Sequence, residues 1–146
     1  MLGMFLGAVL LAAVPLDAAH AAVLATVSAD PMAAGCEPGE VRKAVAKTEI
    51  IPLGHVGSDK VILFSVHARC FCGEHNCQQL VIRYGTGAPR VLLAGLGWRA
   101  DPRPGKPLPQ IVVRSHDSAA VSDVTTYAYR GGQYVQIRTQ RVRNEP

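Results

Sequence analysis

The chain has 146 residues, of which 49% are hydrophobic, and this suits one domain with a buried core rather than an array of domains. Its net charge of +4 at pH 7 is mild. Such a charge favours acidic proteins, anionic glycans or lipid head groups as partners, and we expect no nucleic-acid partner.

The N-terminal segment has the composition of a signal peptide. Residues 2–16 carry no charge and run into Ala19-His20-Ala21, a small-x-small pattern typical of a signal peptidase site. We predict a signal peptide over residues 1–21, cleaved after Ala21, and a periplasmic or secreted protein. The mature charge would be +5, because residues 1–21 contain one acidic residue, Asp17, and no lysine or arginine.

Two alternatives compete with this interpretation, because the segment has no basic residue before its apolar run. A membrane anchor needs about 20 apolar residues, and Asp17 and His20 interrupt the run before that length. We therefore expect no stable membrane span after cleavage. A lipoprotein is the other alternative, since residues 33–36 (Ala-Ala-Gly-Cys) resemble the end of a lipobox. Acylation of Cys36 would leave an odd number of cysteines, which argues against it.

One short N-terminal helix is predicted over residues 36–48, after a flexible tail over residues 22–35. Pro38 suits a first helical turn, and Pro52 follows the end of the pattern. The side chains that share the apolar face at helical spacing are Val41, Ala44, Val45 and Thr48.

The rest of the chain has the pattern of strands. Residues 61–66 form an apolar run with little alternation, which is typical of a strand covered on both faces. Further strands are predicted over residues 78–84, 90–96, 110–114, 121–130 and 133–139. Residues 101–109 hold four prolines and are predicted to form an extended loop. The fold class is α+β, a mostly antiparallel meander of hairpins in a single domain over residues 36–143.

The last hairpin predicts a binding surface. Gly131-Gly132 suits a two-residue turn, so that Tyr129 opposes Tyr134, Tyr127 opposes Gln136 and Thr125 opposes Arg138. We expect the more apolar face to be the core, with Val124, Thr126, Ala128, Val135 and Ile137. The predicted binding surface is the other face, with Tyr127, Tyr129, Tyr134 and Arg138, because tyrosine and arginine are enriched in protein interfaces. In the alternative, the tyrosines cover a second layer of the fold.

The four cysteines predict two disulfides in an exported protein. Cys70 and Cys72 are two residues apart, so on an extended chain their side chains point to opposite faces. Cys72 and Cys77 enclose a short polar loop. We therefore predict the pairs Cys72–Cys77 and Cys36–Cys70, of which the second ties the helix to the sheet.

A zinc, copper or redox site is the alternative for this region. Its candidate residues are His67, Cys70, Cys72, His75 and Cys77. Their spacing matches neither a standard zinc pattern nor Cys-x-x-Cys. We predict no metal site and no cofactor.

No catalytic residue is predicted either. Residues 115–118 (Ser-His-Asp-Ser) carry the side chains of a catalytic triad, but sequence neighbours do not readily meet in triad geometry, and a turn is the better interpretation. A hydrolase that uses His116 stays as an alternative.

Residues 41–135 resemble a group of small, mostly uncharacterised exported bacterial proteins with a Cys-Gly-x-x-x-Cys turn and late Tyr-rich hairpin. The matching pieces are Cys72-Gly73 to Cys77 with Leu80 and Val81, Arg114 to Asp117, and Tyr129 to Tyr134. Hairpins in that group look like FG-GAP or VCBS-type units, often preceded by an acidic calcium loop. Residues 53–60 keep only Asp59 of that loop, so the resemblance does not extend to calcium binding.

The leading hypothesis is a small exported, non-enzymatic protein that binds another envelope or secreted protein. Lysozyme inhibitors and immunity proteins resemble it only in size, export and disulfide-linked scaffold, which is analogy at the level of the fold.

Overall fold

Eight strands and two helices form three layers in the computed structural model, which describes residues 15–144. The helices are α1 (Ala18–Ala29) and α2 (Glu40–Ala46). The first sheet contains β1 (Ile50–Val56), β2 (Asp59–Val66), β3 (Cys77–Gly85) and β4 (Gly87–Gly97). The second sheet contains β5 (Arg99–Arg103), β6 (Gln110–His116), β7 (Val121–Arg130) and β8 (Gln133–Arg143). Consecutive strands pair antiparallel in both sheets, which confirms the prediction of a mostly antiparallel sheet protein.

The first sheet is buried on both faces, as the apolar run over residues 61–66 predicts. On one face Ile62 and Phe64 pack with the helices, where Val23, Val27 and Val45 are fully buried. The other face packs on the second sheet through Leu53, Val61, Leu63, Val81, Leu93, Ile111 and Val113. Each such side chain contributes roughly 1.5–3 kcal/mol when it leaves water, so these two clusters hold the three layers together.

The prediction of a single helix is wrong. Residues 22–35, predicted to be a flexible tail, form most of α1 and a 3₁₀ turn at Pro31–Gly35. Alanine-rich sequence favours a helix, and α1 is held by the burial of Ala22, Val23 and Val27 against the first sheet. The helix predicted over residues 36–48 is present as α2, with Val45 fully buried.

The N-terminus of α1 is capped and attached to the segment just after α2. The Asp17 carboxylate accepts the backbone N–H of His20 at 2.9 Å, and the His20 ring reaches the Thr48 carbonyl at 3.0 Å. Burial alone would lower the pKa of His20, but the Asp17 carboxylate and the Thr48 carbonyl raise it above its usual value. The predicted cleavage site after Ala21 lies within α1, and residues 1–14 lie outside the described part of the chain, so the signal peptide stays a prediction.

Two strands were not predicted, and both contain proline. Pro52 lies in β1 and Pro102 in β5, each at the edge of its sheet, where a missing N–H costs no ladder hydrogen bond. The loop predicted over residues 101–109 is therefore wrong for its first three residues. The predicted strands over residues 78–84, 90–96, 110–114, 121–130 and 133–139 are confirmed as β3, β4, β6, β7 and β8.

The chain passes from the first sheet to the second at Gly97. The next residue, Trp98, donates its N–H to the Arg114 carbonyl at 2.8 Å. A Cβ on Gly97 would lie 2.6 Å from that carbonyl oxygen and 2.6 Å from a methyl group of Val113. Only glycine lets the two sheets approach this closely at the crossing.

Among residues 15–144, no helix combines the length and hydrophobicity that crossing a membrane requires.

Candidate functional site

Both predicted disulfides are confirmed. Cys36–Cys70 joins the segment before α2 to the turn after β2, across 34 residues, and Cys72–Cys77 closes the loop before β3. Paired sulfurs are not thiolate ligands. Within residues 15–144, one group of three potential metal ligands lies close together, Cys36, Glu40 and Cys70, and two of its members are the disulfide itself. The metal and redox alternatives therefore gain no support, whereas two disulfides fit an exported protein.

The small loop closed by Cys72–Cys77 is anchored to the second sheet. Asn76 donates its amide N–H to the His116 carbonyl and accepts the His116 N–H, each at 2.9 Å. The His116 ring stacks on Trp98 with centroids 5.3 Å apart, and the His75 ring meets it edge-on at 6.1 Å. The cysteine loop thus fixes the end of β6 and, through it, the position of Trp98.

The hydrolase alternative gains no support from this arrangement. Asp117 donates its backbone N–H to the Val121 carbonyl, and the chain bends at residues 117–120, so that Ser115 and His116 are the last residues of β6 and not part of the predicted turn. Within the described residues, the His116 ring has aromatic neighbours, Trp98 and His75, and no hydrogen bond to a serine or carboxylate side chain. A catalytic triad requires a histidine that is hydrogen-bonded to a nucleophile and to an orienting acid.

The predicted tyrosine surface faces the core instead of solvent. Tyr134 is 7% exposed and its hydroxyl donates to the Pro109 carbonyl at 2.8 Å. Its ring meets Tyr129 edge-on at 5.6 Å, and both pack in the cluster between the sheets, beside the half-buried Tyr127. Burial, with a smaller effect of Tyr129, raises the pKa of Tyr134 to about 12. The alternative in which the tyrosines cover a second layer of the fold is the correct one.

The register explains the error at Arg138. Tyr129 pairs with Tyr134 and Tyr127 with Gln136, as predicted, but a bulge follows, so that Arg138 pairs with Thr126 and not with Thr125. Arg138 therefore lies on the face opposite the tyrosines. The prediction assigned the core to the face with more apolar residues. A tyrosine can also be buried between sheets, because its ring fills the space there and its hydroxyl forms a hydrogen bond at the rim.

The face of the second sheet that points away from the first sheet is called the outer face here. By register it contains Val124, Thr126, Ala128 and Val135 of the set predicted to be core, together with Val112 and Val142, whereas Ile137 lies at the bulge and has no partner in the register. Val135 and Val142 are each 39% exposed. This face is therefore an apolar surface open to solvent.

Arginines border the apolar part of the outer face. Five of them share it by register: Arg99, Arg103, Arg114, Arg130 and Arg138. The acidic neighbour is Asp101, which forms an ion pair with Arg99 at 2.8 Å. The set leaves an excess of four positive charges. Sequence reasoning missed Arg99 and Arg103 because β5 was not predicted, although charged residues at 99, 101 and 103 alternate with the period of a strand.

The aspartate that survives from the resembled calcium loop has a structural role. The two carboxylate oxygens of Asp59 accept the Thr86 N–H at 3.0 Å and the Arg83 guanidinium at 2.7 Å. These two contacts, the first more than the second, hold the pKa of Asp59 below its usual value. The carboxylate stabilises the turn between β3 and β4, so its presence needs no calcium.

No protein-family model, curated protein or solved structure matches this chain.

Proposed function

We propose that this protein is a small periplasmic or secreted binding protein that captures another exported protein through the outer face. The observation that carries the proposal is the combination on that face of exposed β-branched side chains with a border of arginines. An apolar centre surrounded by charged groups is the anatomy of a protein interface, and arginine is enriched among residues that dominate binding energy.

The apolar centre is continuous across three strands. Val112 on β6 is flanked by Thr126 on β7, whose neighbour on that face, Ala128, pairs with Val135 on β8. Val112 and Ala128 are each 8% exposed, so the strongly exposed part is the β8 side, at Val135 and Val142. Single exposed apolar residues are ordinary on a protein surface, whereas a connected patch marks an interaction site.

The positive charge of the outer face favours an acidic partner protein. Four unbalanced positive charges favour a partner whose apolar contact is surrounded by aspartate or glutamate. They also disfavour a second copy of this chain, because two outer faces would bring like charges together. The mild positive charge of the whole chain acts in the same direction and speeds the encounter with an acidic protein.

Variant-dependent capture from envelope extract tests the proposal. Val135→Glu and Arg138→Glu, each introducing an acid on the outer face, should abolish capture of one specific protein by the immobilised oxidised protein. Leu96→Glu is the matched control, since Leu96 is 54% exposed but lies on β4 of the first sheet. Capture that survives both outer-face changes, or that Leu96→Glu removes equally, would overturn the proposal.

A further inference from the structure

A cleft of about 660 Å³ opens at one end of the space between the sheets, beside the end of α2. This volume lies within the range of small-molecule sites, roughly 300–1,000 Å³. Its deeper lining includes Ile51, Leu63 and Ala100, which pack in or against the cluster between the sheets. Ser65, Gln79 and Trp98 add polar and aromatic groups to the lining.

The polar groups in the cleft are held in place before any ligand arrives. Gln79 is 2% exposed, and its amide donates to the Ser65 hydroxyl oxygen at 2.7 Å and to the Gly97 carbonyl at 2.8 Å. Within the described residues, the proton of the Ser65 hydroxyl has no acceptor among these contacts and is available to a ligand. Fixed groups of this kind lower the ordering cost of binding.

The indole of Trp98 is equally fixed but partly open. One side stacks on the His116 ring, whose backbone is held by Asn76, while Trp98 as a whole is 40% exposed and lines the cleft. A rigid, exposed aromatic ring offers an apolar plane at little entropic cost. It suits a ligand that has both an apolar face and polar groups at its edge.

The charges along the cleft are balanced. Lys47 is matched by Glu49. Arg99 and Asp101, at the edge of the second sheet, border both the cleft and the outer face, and they are ion-paired at 2.8 Å. His67 completes the titratable lining. The cleft therefore offers donors and acceptors in similar measure and gives no preference to a strongly charged ligand, whereas the rest of the outer face carries unbalanced arginines.

We propose that this cleft binds a neutral oligosaccharide. A sugar ring has an apolar C–H face that packs on an indole. Its hydroxyls both donate and accept hydrogen bonds, which matches the amide, hydroxyl and ion-paired groups of this charge-balanced cleft. Trp98 supplies the packing plane and Ser65 a hydroxyl donor. The cleft shares the Arg99–Asp101 pair with the outer face, but Trp98 and Ser65 belong to the cleft alone, so sugar binding is proposed in addition to the protein-binding role.

The chain contains one tryptophan, so its fluorescence reports the cleft directly. We expect chitotriose, cellotriose or maltotriose to give a saturable change in the Trp98 emission, with a Kd of about 1 mM or lower. In calorimetry, Trp98→Ala should weaken that binding at least tenfold and Ser65→Ala severalfold, with circular dichroism showing that each variant is folded. Val135→Glu should bind the sugar as the unchanged protein does, which separates this site from the outer face.

Three results would overturn the inference: no saturable response to any of the three neutral sugars, tighter binding of trigalacturonate or the glucosamine trimer, or unchanged affinity in Trp98→Ala.

Discussion

Replacing Tyr134 and its neighbour Val135, one at a time, by alanine tests which face of the last hairpin is the core. Tyr134 is 7% exposed and packs between the sheets, whereas Val135 is 39% exposed on the outer face. Removing a buried aromatic side chain costs about 3–5 kcal/mol, because the lost burial adds to the cost of the cavity. A partly exposed surface substitution costs about 0.5 kcal/mol or less. Tyr134→Ala should therefore remove a large share of a total stability of roughly 5–15 kcal/mol.

Tyr134→Phe separates the hydroxyl from the ring. The hydroxyl donates to the Pro109 carbonyl at 2.8 Å, and losing this bond should cost about 1 kcal/mol. Urea unfolding of the oxidised protein, followed by Trp98 fluorescence and circular dichroism, measures all three variants. Equal losses for Tyr134→Ala and Val135→Ala, or a larger loss for Val135→Ala, would refute the assignment of the two faces.

Three further predictions concern the scaffold. Replacing both cysteines of the Cys36–Cys70 pair by serine should lower the free energy of unfolding by about 3–4 kcal/mol, because that disulfide closes a separation of 34 residues in the unfolded chain; an unchanged urea midpoint would contradict this. Gly97→Ala should lower the free energy of unfolding by about 1–3 kcal/mol or more in the same assay, since the new Cβ would lie 2.6 Å from the Arg114 carbonyl oxygen. Gly73→Ala is the control and should be nearly neutral, because no atom lies within 4 Å of its added Cβ. In a chain that retains residues 15–21, folding raises the pKa of His20. Its contribution to stability is therefore full below about pH 6.5 and is lost as the pH rises through the folded-state pKa. The free energy of unfolding should fall between pH 6 and pH 8, and it should fall less steeply in His20→Gln.

Much of the scaffold could be predicted from local sequence. Two positive-φ glycines predict the last turn, and Gly131 and Gly132 have φ of 59° and 84°. The polar loop between Cys72 and Cys77 predicts their pairing, and the remaining two cysteines follow. The apolar run of β2 predicts burial on both faces, because a strand with one wet face would alternate.

The errors arise where the answer depends on another layer of the fold. The buried face of the last hairpin is decided by the layer that packs against it. In the first sheet, Gly95 lies opposite Tyr127, and a Cβ added to Gly95 would lie 3.8 Å from the Tyr127 hydroxyl oxygen. The bulge beside Thr126, which moves Arg138 to the outer face, has no glycine to mark it. The helix α1 lacks a clear apolar stripe and is held by the sheet beneath it, so its sequence alone suggests a loose tail.

The same dependence explains why the candidate sites were missed. The cleft brings together α2, β2, β3 and β5, and β5 was not predicted. Trp98 is an isolated tryptophan in the sequence, and only the docking of Asn76 on His116 fixes it at the cleft.

The most direct test of the central claim is photo-crosslinking in the intact cell envelope, with a photoreactive amino acid placed at position 135 or at position 136. The two positions are adjacent on β8 and both are exposed, but Val135 lies on the outer face and Gln136 on the face of the tyrosines. We expect position 135, and not position 136, to crosslink to one exported acidic protein. Crosslinking from 136 alone, equal crosslinking from both positions, a crosslink to a second copy of the chain, or no crosslink from 135 would contradict the proposed function.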